Sequence, residues 1–209
     1  MRLIGITGGI ATGKSAVSTI LQEYYGVPVI YVDKLARLVV EPGSDALRKL
    51  VDEFGEEILL ESGYMDRRKM RTITVRDPDK MKIVTGIVWP EIAKEITRLM
   101  ANFKAIGIET VCVENAMLIE SGNYELYDVV AVVTCDADVQ LARVMERDNQ
   151  SEEDAMGMIN FQMPLADKEK LADVLIVNNS SRATLRKQVD GFYRKHIRKE
   201  RGDYLEAKK

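Results

Sequence analysis

The stretch Gly8-Gly9-Ile10-Ala11-Thr12-Gly13-Lys14-Ser15 lies near the amino end and matches the pattern G-x-x-x-x-G-K-[ST] in full. In a loop of this kind, backbone N–H groups surround phosphate groups, the lysine reaches the β- and γ-phosphates, and the hydroxyl of the last residue is a ligand of Mg²⁺. We therefore predict that Gly8 to Ala16 bind the phosphates of ATP, that Lys14 is catalytic and that Ser15 binds the metal ion.

The sequence on both sides of this loop fits a phosphate-binding role. Before it, Arg2–Thr7 is a short apolar stretch typical of a buried strand. After it, Val17, Ile20, Leu21 and Tyr24 fall at i, i+3, i+4 and i+7, which is one face of a helix. Strand, glycine loop and helix in this order aim the N-terminus of the helix at an anion. The alternative is a chance glycine turn, and both flanks argue against it.

Composition and charge limit the classes of protein to which this chain can belong. The chain has 209 residues, of which 46% are hydrophobic and 30% charged, as expected for one sizeable α/β domain that folds in water. Its 30 basic and 33 acidic residues give a net charge of −3, which argues against a nucleic-acid-binding protein. We therefore interpret the basic segment from Arg194 to Arg201 as a solvated helix end.

The sequence lacks the patterns of secreted and membrane proteins. Met1-Arg2 leads directly into the first predicted strand, so we expect no signal peptide. No apolar run reaches the ~18 residues of a membrane helix. Cys112 and Cys135 lie in or at the end of predicted strands, where buried and reduced thiols are expected. These observations predict a cytoplasmic protein that does not contact a membrane.

Five apolar stretches separated by helical patterns predict an α/β fold with a five-stranded parallel sheet and helices on both faces. The predicted strands are Arg2–Thr7, Val27–Tyr31, Glu109–Glu114, Val129–Thr134 and Val174–Val177. Residues 41–105 contain no strand pattern and are predicted to be a helical insertion that binds a second substrate. Residues 143–172 are predicted to form a helical lid. The core is then 1–40, 106–142 and 173–209 of a single domain.

Local signals place helix ends within the insertion and the lid. Asp66 is a predicted cap for a helix that starts at Arg67. A further helix is predicted to start at Asp77-Pro78-Asp79 and to be interrupted at Trp89-Pro90. In the lid, Ser151-Glu152-Glu153-Asp154 resembles a capping box that begins another helix.

Asp33 follows the second predicted strand directly, at the edge of an open α/β sheet where ligands bind. One interpretation is a carboxylate that orients an attacking hydroxyl or accepts its proton. The other is an N-cap for a helix over Lys34–Val40. The only histidine, His196, lies near the carboxyl end, so carboxylates must perform any acid–base chemistry in the core. Together with the phosphate loop, this favours a catalytic Asp33.

Arg143 and Arg147 are separated by four residues and therefore share one helix face. Two guanidinium groups in this arrangement could cover the oxygens of a phosphoryl group during its transfer. Without the rest of the sequence, a solvated helix with Arg–Glu pairs would be the simpler interpretation. From these residues alone both interpretations stay open; with the phosphate loop and the family resemblance given next, we expect both arginines to be catalytic.

The chain resembles the dephospho-CoA kinase family, whose members are the last enzymes of coenzyme A synthesis. The resemblance covers nearly the whole chain. The matching segments are Thr7-Gly8-Gly9-Ile10, Gly13-Lys14-Ser15, Gly26-Val27-Pro28-Val29-Ile30, Asp33, Leu35-Ala36-Arg37, Val40-Glu41-Pro42-Gly43-Ser44, Phe54-Gly55-Glu56-Glu57-Ile58-Leu59, Met117-Leu118-Ile119-Glu120-Ser121-Gly122, Gln140-Leu141, Arg143, Arg147-Asp148, Gln162-Met163-Pro164, Ala172-Asp173 and Asn178-Asn179. The Glu-Pro-Gly-Ser segment and the lid spacing are not shared by P-loop proteins at large, so the resemblance is specific.

This resemblance implies a P-loop NTPase fold with a core, a helical substrate domain and a lid. It implies that ATP and Mg²⁺ are used to phosphorylate the ribose 3′-hydroxyl of dephospho-CoA. Asp33 matches the aspartate to which the family's catalytic role is usually assigned. Asp33, Arg37 and Trp89 are the candidates for binding the acceptor. We expect a monomer or a small homo-oligomer.

The chain also departs from the family pattern. Tyr31 stands where members usually have the first of two aspartates, and Trp89 stands where they usually have histidine. Ala11 and Ala16 replace a usual glycine and threonine, and the usual acid-x-Pro-Leu-Leu segment is Glu114-Asn115-Ala116-Met117-Leu118. These departures leave two alternatives open. One is a kinase of the same fold that acts on another nucleotide-like alcohol, and the other is a nucleotide-binding protein with weak transfer activity.

Overall fold

The computed structural model describes residues 1–75 and 77–198 and contains one five-stranded sheet. The strands are β1 (Arg2–Gly8), β2 (Val29–Tyr31), β3 (Thr110–Glu114), β4 (Val129–Thr134) and β5 (Val174–Val177). Their order across the sheet is β2-β3-β1-β4-β5. β1 pairs in parallel with β3 and β4, and β4 pairs in parallel with β5. The predicted α/β class with a parallel sheet is confirmed.

The described chain divides into two compact units. One comprises residues 1–30 and the described part of 107–209, and the other comprises Tyr31–Ile106. The helices of the first unit are α1 (Lys14–Tyr25), α6 (Ala137–Asp148), α7 (Glu152–Asn160), α8 (Leu165–Lys170) and α9 (Arg182–Phe192). The helices of the second unit are α2 (Val32–Leu38), α3 (Asp45–Phe54), α4 (Arg67–Val75) and α5 (Pro78–Ala105).

Apolar side chains cover both faces of the sheet. One buried cluster joins β1, α1, β4, β5 and α9 through Ile4, Ile6, Val17, Ile20, Leu21, Ala131, Val133, Ile176, Leu185, Val189 and Phe192. A second buried cluster joins Val130 and Val132 of β4 to Leu118 and Ile119. Alternate residues of β4 therefore face different clusters, as the two-residue period of a strand requires. This burial on both sides explains why β4 is a continuous apolar run.

The second strand begins at Val29, two residues later than predicted. Gly26 ends α1 in the left-handed conformation with φ 66°. Its N–H donates to the Gln22 carbonyl at 3.2 Å, and the Val27 N–H donates to the Leu21 carbonyl at 3.1 Å. Val27 therefore belongs to the cap of α1, because its N–H is already used there. The first strand also extends to Gly8 and the third begins at Thr110, each one residue from the predicted bound.

In the second unit, α5 is a single helix of 28 residues that contains Pro90. The predicted interruption at Trp89-Pro90 is therefore wrong. A proline removes one N–H donor and crowds the carbonyl four residues earlier, which belongs here to Gly86. Because α5 packs against α2, α3 and α4, tertiary contacts keep the helix in one piece despite this defect.

Other predicted helix ends in both units are confirmed. Asp66 Oδ1 accepts the N–H groups of Arg68 and Lys69, each at 3.0 Å, at the start of α4. Ser151 is the N-cap of α7, and its Oγ accepts the Asp154 N–H at 3.2 Å. Both side chains satisfy N–H groups that the first helical turn leaves without partners.

The basic segment near the carboxyl end is described only in part. A π-helical turn spans Tyr193–Ile197, and the exposed Arg194 pairs with Asp190, with NH2 3.1 Å from Oδ2. Burial, and then the positive charges of Lys195 and Arg2, lower the pKa of His196. The rest of the predicted helix end, residues 199–201, lies outside the described residues, as does the remainder of the predicted core up to residue 209.

The open edge of the outer strand β5 is covered at Val177 by a side chain of α9. Gln188 of α9 accepts the Val177 N–H through Oε1 at 2.9 Å and donates through Nε2 to the Val177 carbonyl at 2.5 Å. Its amide thus satisfies both backbone groups of one residue in the way that a neighbouring strand would.

Candidate active site

The phosphate loop lies between β1 and α1, and its glycines are required by close contacts. Gly8 has φ 148°, and a Cβ atom added there would lie 2.2 Å from the Val133 carbonyl oxygen. Gly13 has φ 100°, and a Cβ there would lie 2.2 Å from Asn178 Nδ2. Ala11 adopts a left-handed conformation with φ 57°, which costs about 1–3 kcal/mol for a residue other than glycine. The backbone is therefore held in a fixed curve, with strain at Ala11.

Donors outside the loop backbone hold several of the loop carbonyl groups. The Ile10 carbonyl accepts Gln140 Nε2 at 2.9 Å, and the Thr12 carbonyl accepts Asn178 Nδ2 at 2.9 Å. The Gly9 carbonyl accepts the Thr12 hydroxyl at 3.0 Å. These bonds hold the carbonyl groups of Gly9, Ile10 and Thr12 in place. The N-cap of α1, Gly13, has no side chain that could take the place of an anion at the start of this helix.

Lys14 places its ammonium group directly on this loop. The residue is 8% exposed. Nζ donates to the Gly9 carbonyl at 2.7 Å and to the Gly8 carbonyl at 3.3 Å. A cation in this position is already desolvated, so its attraction to a phosphate is weakened little by water.

Ser15 is paired with a carboxylate from the neighbouring strand. Its Oγ donates to Glu114 Oε1 at 2.8 Å. Glu114 is the last residue of β3 and is 7% exposed, and its Oε2 is buried without a hydrogen-bond partner in residues 1–75 and 77–198. A buried carboxylate oxygen without a donor is costly unless a cation or a ligand satisfies it. A hydroxyl and a carboxylate beside bound phosphates are the oxygen ligands that Mg²⁺ prefers, so these two residues fit the ion.

Glu114 is the site residue that the sequence analysis did not select. Its position at the carboxyl end of a strand beside the loop is the signal that could have identified it. In the described part of the chain, no group of three or more His, Cys, Asp or Glu side chains could hold a metal ion.

The segment after α7 also contacts the phosphate loop. Gln162 Oε1 accepts the Ile10 N–H at 2.7 Å. The Ile10 residue is thus held at its N–H by Gln162 and at its carbonyl by Gln140, whose side chain comes from α6. A contact of this kind couples the predicted lid to the loop that would bind ATP.

The far end of the predicted lid is anchored by a buried ion pair. Lys168 of α8 is 0% exposed, and its Nζ lies 2.6 Å from Glu120 Oε1 and donates to the Ala116 carbonyl at 2.9 Å. The Met163 N–H donates to the same Glu120 oxygen at 3.2 Å. These bonds connect α8 to the segment that follows β3.

The two predicted arginines lie on α6, but their surroundings differ. Arg147 forms two hydrogen bonds to the Asp148 carboxylate, from Nε at 2.8 Å and from NH2 at 2.7 Å, and this carboxylate raises the pKa of Arg147. Arg143 has a buried NH1 with no hydrogen-bond partner among the described residues. It also lies beside the Cys135 thiol, whose pKa burial raises while Arg143 acts in the opposite direction. Arg143 is therefore the better placed of the two to receive an anion.

Asp33, in the second unit, is not the N-cap of its helix. α2 begins at Val32, and Tyr31 occupies the N-cap position without a side-chain capping bond. The alternative interpretation of Asp33 as a cap for a helix over Lys34–Val40 is therefore wrong. Asp33 is exposed in the first turn of α2, and Arg37 follows one turn later on the same helix.

Trp89 lies within α5, in the second unit. With its neighbours it lines a shallow groove of about 420 Å³, whose other lining residues are Met81, Lys82, Thr85, Gly86 and Pro90. Lys82 is the one charged side chain of this lining, and it also forms an ion pair with Asp79 at 2.9 Å.

The protein is a P-loop kinase by its fold and its site. Its parallel sheet carries a phosphate loop between β1 and α1, and a hydroxyl–carboxylate pair lies beside that loop. The family model of dephospho-CoA kinase matches residues 2–184. The chain belongs to the dephospho-CoA kinase family and is a transferase that phosphorylates an alcohol group.

Individual relatives agree with this assignment. The dephospho-CoA kinase of Carboxydothermus hydrogenoformans is 40% identical over 187 residues, which are 90% of this chain and 90% of that protein. The dephospho-CoA kinase of Geobacillus kaustophilus is 42% identical over 186 residues, 89% of this chain and 92% of that protein. Among solved structures, the dephospho-CoA kinase from Campylobacter jejuni matches with a TM-score of 0.68 and 27% identity, covering 93% of this chain and 96% of that one.

Two further observations bear on the sequence-based expectations. Cys112 and Cys135 are both buried and unpaired, and burial raises the pKa of the Cys112 thiol to about 12.

Among the helices that the structure describes, none has the length and apolar character needed to cross a lipid bilayer.

Proposed function

We propose that this protein transfers the γ-phosphoryl group of ATP to the ribose 3′-hydroxyl of dephospho-CoA, which is the last step of coenzyme A synthesis. The observation that supports this most directly is the hydrogen bond from Ser15 to the buried Glu114, next to Lys14 in the phosphate loop, within a chain of this family. Phosphoryl transfer depends mainly on positioning and charge stabilisation, so no covalent enzyme intermediate is required.

On the ATP side, backbone N–H groups of Gly8 to Ala16 bind the phosphates, that of Ile10 only after it leaves Gln162, and Lys14 neutralises charge on the transferring group. Ser15 and Glu114 would hold Mg²⁺, which supplies positive charge to the β- and γ-phosphates when bound. Arg143, with its unpartnered NH1, binds the phosphoryl oxygens. Arg147 joins it after exchanging Asp148 for the phosphate.

On the acceptor side, Asp33 orients the attacking hydroxyl and accepts its proton, while Arg37 and Trp89 bind the rest of the acceptor. We assign this binding to the helical segment 41–105 together with the start of α2, and the closing movement to the lid segment 143–172. We also propose that the protein is located in the cytoplasm, because buried reduced thiols such as Cys112 and Cys135 are typical of a reducing compartment.

The function is tested by measuring ADP release from ATP and Mg²⁺ with dephospho-CoA, with a panel of nucleosides and with no acceptor. We expect dephospho-CoA to give the fastest release and the acceptor-free reaction to be close to background. Fast release with another nucleotide-like alcohol, but none with dephospho-CoA, would support the alternative acceptor. ATP binding without acceptor-dependent release would make the chain a nucleotide-binding protein with weak transfer activity.

The lid is tested by hydrogen exchange of the segment from Arg143 to Leu171. If this segment closes over the phosphoryl group, exchange should slow far more with a nonhydrolysable ATP analogue and dephospho-CoA together than with either alone. The core strand β4 serves as the internal control, because its exchange should change little. Equal protection with and without ligands would instead make 143–172 a static part of the fold with solvated arginines.

A further inference from the structure

Two arginine residues of the second unit, Arg37 and Arg67, lie close together. Arg67, the first residue of α4, donates from NH2 to the Arg37 carbonyl at 3.4 Å. Partial burial, and then the positive charge of Arg37, lower the pKa of Arg67. In the part of the chain that the structure describes, neither guanidinium takes part in an ion pair.

Among the described residues, the charged side chains close in sequence to Arg37 and Arg67 either bind other groups or form no ion pair with these arginines. Asp66 precedes Arg67 directly, but its Oδ1 accepts two N–H groups at the start of α4. Asp33 is one turn from Arg37 on α2, yet the two side chains do not form an ion pair within the described residues. The Lys34 ammonium lies over the Tyr31 ring, 3.8 Å from its centroid. Because neither arginine is ion-paired with a carboxylate within the described residues, their two positive charges repel each other.

We propose that Arg37 and Arg67 form the binding site for the 5′-diphosphate of the acceptor nucleotide. Two neighbouring guanidinium groups without a carboxylate are unfavourable together, and a doubly charged anion between them removes this repulsion. Arginine is also suited to phosphate, because its planar N–H donors bind two oxygens at once. This inference rests on the proposed function and names the part of the acceptor that these residues bind.

The spacing on α2 links this site to the reacting hydroxyl. Asp33 and Arg37 are separated by one helical turn, about 6 Å along the axis. In dephospho-CoA the 3′-hydroxyl and the 5′-diphosphate are carried by the same ribose. A ribose lying along this turn therefore presents its 3′-hydroxyl to Asp33 while its diphosphate contacts Arg37 and Arg67. The arginines thus decide which acceptors are accepted and which hydroxyl faces Asp33.

The test compares the steady-state kinetics of the full chain with those of Arg67→Gln. We expect the KM for dephospho-CoA to rise about 10-fold or more, because charge-assisted bonds to phosphate are lost. The KM for ATP should stay within about twofold of the parent value. Arg68→Gln is the matched control, since it removes an exposed arginine from the next position of the same helix and should leave both KM values unchanged.

A second measurement separates recognition from damage to the fold. Adenosine carries a 3′-hydroxyl but no phosphate, so the parent protein should strongly prefer dephospho-CoA. This preference is measured as the kcat/KM for dephospho-CoA divided by the kcat/KM for adenosine, each determined from the phosphorylated product. Arg67→Gln should reduce this ratio about 10-fold. A general loss of structure would lower both rates together and keep the ratio. If Arg67→Gln melts below the assay temperature, Arg67→Lys is used, and it should still lower the ratio because it cannot bind two oxygens in one plane.

The outcomes distinguish this inference from the function on which it rests. A parent protein that does not phosphorylate dephospho-CoA contradicts the proposed function itself. A parent that does so, with an unchanged KM and an unchanged ratio in Arg67→Gln, contradicts the diphosphate site alone.

Discussion

Replacing Lys14 with alanine is expected to abolish phosphoryl transfer while the protein stays folded. The ammonium group lies at the loop, 2.7 Å from the Gly9 carbonyl, where it can follow negative charge as it develops on the transferring group. Removing one preorganised donor to such charge lowers kcat by roughly 10²–10³-fold. The measurement is kcat with ATP and dephospho-CoA, together with the melting temperature.

Two companion variants support this experiment. Lys14→Met keeps the aliphatic stem of a residue that is 8% exposed, so it separates loss of charge from loss of packing and should be as inactive as Lys14→Ala. Lys187→Ala removes an exposed lysine of α9 and should retain the parent's turnover. A folded Lys14→Ala protein with near-parent kcat would show that Lys14 has no catalytic role.

Asp33→Asn is expected to lower kcat by about 10²-fold or more, the usual scale of help from a general base. The amide is nearly the same size as the carboxylate, so ATP affinity should change little. Stability should fall by no more than about 0.3–1 kcal/mol, which is the contribution of a negative charge in the first turn of a helix. The measurements are kcat with dephospho-CoA, the Kd of ATP and the melting temperature.

The matched control for this change is Asp79→Asn, which removes a carboxylate from the first turn of α5 in the same unit. Its kcat should equal that of the parent. An Asp33→Asn enzyme whose turnover stays within about twofold of the parent would overturn the catalytic assignment, and it would leave the phosphate loop as the evidence for a kinase.

Local sequence signals predicted the elements of the fold well. The strand–loop–helix at the amino end, the parallel sheet and the caps at Asp66 and Ser151 all follow from residues close together in the chain. The errors also have local causes. The apolar pattern predicts a strand at Val27, whose N–H instead completes the cap of α1. The Trp89-Pro90 pair predicts a break in a helix that packing holds together.

The candidate site was predicted only where its residues follow a motif. Lys14 and Ser15 could be placed because the loop pattern fixes them. Glu114, in contrast, meets Ser15 across 99 residues of sequence, and Gln162 meets Ile10 across 152. No pattern in a single sequence encodes such pairs, because they are produced by the order of strands in the sheet and by the return of the chain after α7.

The amide of Gln188 on β5 has a consequence for self-association. β5 is an outer strand with Leu175 47% and Val177 42% exposed, which are the features of a surface that recruits another strand. A sixth strand, from a second copy or from an unfolded neighbour, would first have to break both Gln188 bonds to Val177. Each bond is worth about 0.5–1.5 kcal/mol, so the edge resists both fibril growth and pairing of sheets between copies. A homo-oligomer is therefore not expected to form by extension of the sheet at Val177.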